Sequence, residues 1–199
     1  MRIVFVSNIF PPHVRGGYEL GCQRIAERCH ELGHEVTVLT SVAIGKLQKT
    51  ARPPLLCVEE LFEPVYEYEE NVTELTCRQR TSGCYIRRQD AFGGILAHNA
   101  WTLARSLRRL VPDLIWIFNP LAIGTVGILE ACLTSQAPCV LHLMDDIDDL
   151  VRGHQEEQYL LPRYRRLKCS IHAIACSGKM AIANTRIGEF ASLRIIHNG

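Results

Sequence analysis

The first forty residues alternate between two periodicities, and that alternation commits the chain to a parallel sheet. Arg2-Ile-Val-Phe-Val-Ser7 is an unbroken apolar, β-branched run, the pattern of a strand buried on both faces. Residues Asn8 to Gly17 form a loop punctuated by Pro11, Pro12, Gly16 and Gly17. From Tyr18 to Leu32 the apolar positions Leu20, Cys22, Ile25, Ala26, Cys29 and Leu32 recur three and four apart, which predicts a helix with one buried stripe. Gly33 closes it, and Glu35-Val-Thr-Val-Leu-Thr40 is the next strand. A strand, a helix and a second strand in that order imply a right-handed crossover.

The same alternation returns after residue 90. The pattern predicts a helix from about Ala91 to Leu110, a strand over Asp113–Phe118, a helix over Leu121–Ser135 and a strand over Cys139–Leu143. An acidic loop, Asp145 to Asp149, is followed by a helix over Gln155–Lys168, a strand over Ile171–Cys176, a short helix over Gly178–Asn184 and a strand around Leu193–Ile196. Between residues 41 and 90 only Leu55–Phe62 reads as a strand; irregular structure with a short hairpin is expected elsewhere. The expected fold is α/β: one Rossmann-like, doubly wound, mainly parallel sheet of about seven strands with helices on both faces. Such sheets bind ligands beyond the carboxyl ends of their strands. The loops that matter then follow Ser7, Thr40, Phe118, Leu143, Cys176 and Ile196.

Composition excludes several classes of function. With 22 Lys+Arg against 21 Asp+Glu, the net charge of +1 provides no footprint for nucleic acid. No apolar run approaches the roughly 18 residues of a spanning helix. Ile3–Val6 is too short for a signal-peptide core, so a cytoplasmic location is expected. Nine cysteines occur, with four pairs seven apart: Cys22/Cys29, Cys77/Cys84, Cys132/Cys139 and Cys169/Cys176. None has zinc-ligand spacing, and most read as small reduced core residues.

Gly16 and Gly17 stand directly before the first helix. Lacking Cβ, they let a phosphate approach the backbone, and the helix start adds free N–H groups and partial positive charge. Arg15 beside them is suited to pair with phosphate. A turn that only joins strand to helix accounts for the glycines as well. The loop is not a dinucleotide fingerprint: G-x-G-x-x-G is missing, and the second strand ends in Leu39-Thr40-Ser41 with no acidic residue for a ribose. Nor is it a P-loop, since no Gly-Lys-Ser/Thr follows.

At the end of a later strand, His142 is followed by the carboxylates Asp145, Asp146, Asp148 and Asp149. Histidine exchanges protons near neutral pH, and aspartate binds hydroxyls. Two further readings stand beside this one: a site for a divalent cation such as Mg²⁺, and a solvated acidic helix start.

The segment Asn8-Ile-Phe-Pro-Pro-His-Val-Arg-Gly-Gly-Tyr-Glu19, the helix after it, and Leu32-Gly-His-Glu-Val-Thr-Val-Leu-Thr40 resemble the opening of family 4 glycosyltransferases. Val111-Pro-Asp-Leu-Ile-Trp116, Ala175-Cys-Ser177 and Ile195-Ile-His-Asn-Gly199 resemble later landmarks of that family, in the same order. The resemblance runs through the whole chain and is thin between residues 41 and 90. It implies the N-terminal, acceptor-side half of a GT-B fold, with the donor-binding domain lying beyond Gly199. It also implies a retaining, metal-independent transfer that needs no cofactor, with a nucleotide-diphospho-sugar as co-substrate and a glycan, lipid-linked or small-molecule acceptor. This half alone is then expected to be inactive. Placed beside the resemblance, the residues themselves suggest donor phosphates at Gly16, Gly17 and Arg15, catalysis at Asp145 and His142, and acceptor contacts at His13, Asn119, Asp146 and Ser177; an Asn-Pro turn at Asn119, a helix cap at Ser177 and solvent exposure of His13 are the plainer readings. Met144 occupies the place where the family often has a histidine, with His142 two residues earlier. The basic run Arg163-Tyr-Arg-Arg-Leu-Lys168 suits peripheral contact with anionic lipid, or a solvated helix face. A non-catalytic Rossmann-like binding module and a GT-B nucleotide-sugar epimerase are the alternative functions.

Overall fold

A computed structural model describes residues 1–14, 16–42, 48–49, 55–63, 66–68, 84–86, 94–154 and 156–197. In chain order the elements are β1 (Arg2–Ser7), β2 (His13–Val14), α1 (Gly17–Glu31), β3 (Glu35–Ser41), β4 (Gln48–Lys49), β5 (Cys57–Phe62), β6 (Tyr66–Tyr68) and β7 (Cys84–Ile86). After them come α2 (Ala97–Leu110), β8 (Leu114–Asn119), α3 (Thr125–Leu133), β9 (Cys139–Leu143), α4 (Ile147–Arg152), α5 (Glu157–Lys168), β10 (His172–Ala175), α6 (Gly178–Ala183) and β11 (Ser192–Ile195).

Seven strands form one sheet in the order β11-β10-β9-β8-β1-β3-β5, and every neighbouring pair is parallel. The expected doubly wound sheet is therefore present. Winding starts at its centre. From β1 the chain moves outward through β3 to β5, returns to β8 on the other flank of β1, and proceeds to β11. The direction reverses between β1 and β8, where an open α/β sheet leaves a crevice beyond its strand ends. There the Asn8 N–H donates to the Asn119 carbonyl at 2.8 Å, tying the two diverging loops together.

Each face has its own cover. Ile3, Phe5, Val36, Val38 and Phe118 pack with Cys22 and Ala26 of α1. On the opposite face Val4, Val6, Leu39, Ile115, Ile117, Leu141 and Leu143 pack with Leu103 and Leu107 of α2, Ile128 of α3 and Tyr164 of α5. Helix α3 is apolar nearly all round because it is buried nearly all round.

Several boundaries differ from the sequence reading. The apolar run at Leu121 starts its helix four residues late, because Ala122 and Gly124 take positive φ (63° and 91°). A Cβ on Gly124 would lie 2.5 Å from the Leu96 nitrogen, so only glycine fits there. The segment Asp145–Asp149 is not all loop: Asp146 caps α4, its Oδ1 accepting the Asp149 N–H at 2.9 Å. In the poorly legible stretch, β5 joins the sheet, and β6 pairs antiparallel with β7 as the expected hairpin. The basic run of α5 is not one solvated face: Tyr164 and Lys168 point into the core. Cys22, Cys132 and Cys139 are core residues as read, and burial pushes their thiols upward; Cys57 and Cys169 are exposed.

Candidate functional site at the carboxyl ends of the strands

The glycine loop is pinned from below. The Ser7 hydroxyl donates to the Ile9 carbonyl at 2.8 Å, Ile9 and Phe10 are buried, and the Pro11–Pro12 peptide is cis. His13, half-buried, lies in the two-residue strand β2, which pairs antiparallel with Gln48–Lys49. So anchored, the loop presents Gly16 and Gly17 exposed at the start of α1. Gly16 is extended (φ −168°), and a Cβ there would meet nothing within 4 Å. A Cβ on Gly17 would meet only Met144 Cε, at 3.8 Å, which sets this turn directly beside the residue that follows β9. The Gly16 N–H already donates to Glu19 Oε2 at 2.7 Å. Arg15 lies outside the described residues.

Behind the turn stands a stack of three rings from three elements. Tyr18 of α1 meets Phe118 of β8 edge-on (6.1 Å, 84°), and Phe118 stacks on His142 of β9 (4.2 Å, 21°). The Tyr18 hydroxyl accepts the Met144 N–H at 3.0 Å. Burial, and then the charge of Asp145, hold the Tyr18 phenol well above its ordinary value. His142 is 4% exposed, and neither ring nitrogen has a hydrogen-bond partner. Burial lowers its pKa to about 4, so the imidazole is neutral at pH 7.

The four carboxylates divide by task. Asp145 and Asp149 are exposed. Asp146, besides capping α4, accepts from Arg186 Nη1 at 3.1 Å. Asp148 is fully buried against Lys168, whose Nζ lies 2.7 and 3.0 Å from its two oxygens. With Asp146 and Asp148 each matched to a cation, the segment is not an open tetrad of oxygens for Mg²⁺. Among the described residues no group of three or more His, Cys, Asp or Glu is arranged for a metal ion.

The family signature of a glycosyl transferase 4-like domain matches residues 16–199. The chain belongs to that family. Solved structures share the fold of this glycosyl transferase 4-like domain at low identity. Sucrose-phosphate synthase of Thermosynechococcus elongatus aligns over 100% of the chain and 48% of its own length, with 12% identity and a TM-score of 0.57 to 0.61 across its two structures, one of them a shorter chain covered to 90%. HepE of Anabaena in complex with UDP and glucose aligns over 99% of the chain and 44% of its own, with 19% identity and a TM-score of 0.57. The chain thus spans about half the length of these full-size structures. No curated protein matches its sequence.

Within this glycosyl transferase 4-like domain the predicted site residues gather only in part. Gly16, Gly17, Asp145 and His142 come together around Met144 and Tyr18. Asn119 is buried at the carboxyl end of β8, where its Oδ1 accepts the Leu121 N–H at 3.1 Å and shapes the turn that follows. Ser177 caps α6, accepting the Met180 N–H at 3.2 Å. Sequence reading missed Tyr18, Phe118, Lys168 and Asn184. For Lys168 a signal existed, since Leu160, Tyr164 and Lys168 recur at intervals of four along the buried stripe of α5. In the basic run itself, Arg163 is held by Glu130 (2.8 and 2.7 Å) and Arg165 by the Ile187 carbonyl (2.8 Å). No helix among the described residues is long and apolar enough to cross a membrane.

Proposed function

We propose that this chain is the acceptor-side, N-terminal domain of a two-domain GT-B enzyme that moves a sugar from a nucleotide-diphospho-sugar to a hydroxyl-bearing acceptor. The observation that carries the reading is the bare Gly16–Gly17 turn. Neither backbone conformation nor packing calls for glycine at Gly16, and Gly17 has room for a side chain. What two glycines do provide is close access to the amides at the start of a fifteen-residue helix, beside the carboxyl end of β9. In this reading a diphosphate docks there, and the positive end of α1 offsets part of the charge released as the bond from the anomeric carbon to the leaving oxygen breaks. Asp145, exposed next to Tyr18 and Met144, meets a hydroxyl of the sugar or the acceptor. His142, neutral and one layer deeper, supports Phe118 and Tyr18 from below. The transfer is retaining and metal-independent, and it requires the second domain to complete the donor site. HepE, solved with UDP-glucose on the same fold, lends the donor class its support.

The test is a screen of the whole protein for sugar transfer from UDP-, GDP- and ADP-sugars. Transfer is expected from one of these donor classes, and Asp145→Asn should slow it by about a hundredfold, the cost of losing one charged contact at a reacting centre. Full activity in Asp145→Asn would remove Asp145 from the site, and no transfer from any donor would remove the reaction itself.

A further inference from the structure

Asn184 is fully buried, and its carboxamide is used on both sides. Its Oδ1 accepts the Ile147 N–H at 2.9 Å, while its Nδ2 donates to the Asp145 carbonyl at 2.9 Å and to the Met180 carbonyl at 3.0 Å. Lys168 Nζ donates to the Asn184 carbonyl and also holds Asp148. Asp148 in turn accepts the Ile187 N–H at 2.9 Å, and Arg186 reaches Asp146. Residues 184–187 are therefore stitched to residues 145–149, joining the turn after β9 to the end of the helix that follows β10.

We infer that Asn184 is a positioning residue: its carboxamide clamps the main chain on both sides of Asp146 and so sets where Asp145 stands at the mouth of the sheet, with the Asp148–Lys168 pair as its buried footing. The inference rests on the functional reading above only for what Asp145 does once placed. The clamp needs a side chain that accepts from one peptide and donates to another across a two-residue gap, which a carboxamide does and a carboxylate or hydroxyl does only in part. Within the turn the Ile147 N–H also donates to the Asp145 carbonyl, at 3.1 Å, but that bond joins residues two apart and does not tie the turn to α6; the other side chains of the network offer no substitute. Lys168 is committed to Asp148 and to the Asn184 main chain, and Ser177 is committed to Met180.

Two variants separate positioning from mere stability. Asn184→Ala removes both halves of the clamp, whereas Asn184→Asp keeps an acceptor for Ile147 and loses the donor to Asp145 and Met180. Amide hydrogen exchange in the chain should show Ile147 opening about tenfold faster in Asn184→Ala, where it keeps only its bond to the Asp145 carbonyl within the turn, and staying close to wild type in Asn184→Asp. Core amides such as Ile117 and Leu141 should be unchanged in both. With UDP-glucose as donor probe, or whichever donor the screen turns over, both variants should lower kcat about tenfold and leave the donor KM within about twofold, as expected when a group is misplaced rather than lost. The inference is overturned if Ile147 exchange is unchanged in Asn184→Ala, if it rises together with the core amides, or if only the Thr185 end of α6 loosens. A turn that opens while kcat holds supports the clamp and instead sinks Asp145 as a substrate contact. If no donor is turned over, the functional reading fails, and the exchange pattern alone decides the clamp.

Discussion

Gly17 is the residue whose replacement best separates function from folding. A Cβ there meets only the flexible end of Met144, so Gly17→Val should shift unfolding stability by no more than about 1 kcal/mol. The same side chain covers the amides of the first helical turn, and UDP or UDP-glucose affinity, read by calorimetry, should fall at least about tenfold. Glu19 shapes the same site differently. Its carboxylate already sits on the Gly16 N–H, so in the proposed reading a phosphate has to displace it or use the amides beyond it. His142 gives a pH signature. Its folded pKa of about 4 lies below the roughly 6.5 of an unfolded histidine, so the unfolded chain takes up a proton that the folded one declines. Stability should therefore fall as pH drops from about 6.5 to 4, by at most about 3 kcal/mol for this group. His142→Phe, which retains an aromatic ring on Phe118, should remove that component; urea unfolding at pH 5 and pH 8, compared between the two proteins, reads it directly.

Among the elements, α4 and α5 depend most on a single contact. The Asp148–Lys168 pair is wholly buried, with Lys168 Nζ 4.5 Å from the Phe190 ring centroid and 5.2 Å from that of Tyr164. Desolvation lowers the Lys168 pKa, and the hydrogen bond and charge of Asp148 oppose that shift. Lys168→Met keeps most of the side chain's apolar stem, strands the Asp148 carboxylate in the core and frees the Asn184 carbonyl, so chemical denaturation should show a loss of about 3–5 kcal/mol. A loss below about 1 kcal/mol would mean that water or another cation reaches Asp148. These elements also show where sequence reading falls short. A six-residue helix such as α4 offers too few turns for a period, although its cap at Asp146 and its acidic first turn were visible as residues. Lys168 was hidden by its own charge, which outweighed its place on the apolar stripe.

At the scale of the molecule, the doubly wound parallel sheet was legible because short apolar runs at β1, β3, β8 and β9 alternate with helical segments; the order of its strands came only with the structure. Residues 41–90 were not, since they lack a sustained period of either kind, and most of them lie outside the described structure. The candidate site was half legible. Gly16, Gly17 and Asp145 announce themselves by type and position, whereas the Tyr18–Phe118–His142 stack exists only once three distant segments meet. Binding should register on the whole fold: a ligand at a hundredfold excess over its Kd stabilises the folded chain by about 2.7 kcal/mol. In a chain of this size UDP or UDP-glucose should then raise Tm by roughly 5–10 °C, and Gly17→Val, at the same ligand concentration, should cut the rise by about half or more.

The central place of β1 has a consequence for how the protein is made. One edge of this strand is satisfied early, when Val36 and its neighbours emerge, but Ile3 must wait for Leu114 to be synthesised before its other edge is paired. Throughout that interval the nascent chain carries an open, apolar strand edge that any similar strand can join. Closing the sheet at β1 is therefore a late, long-range event, of the kind that slows folding.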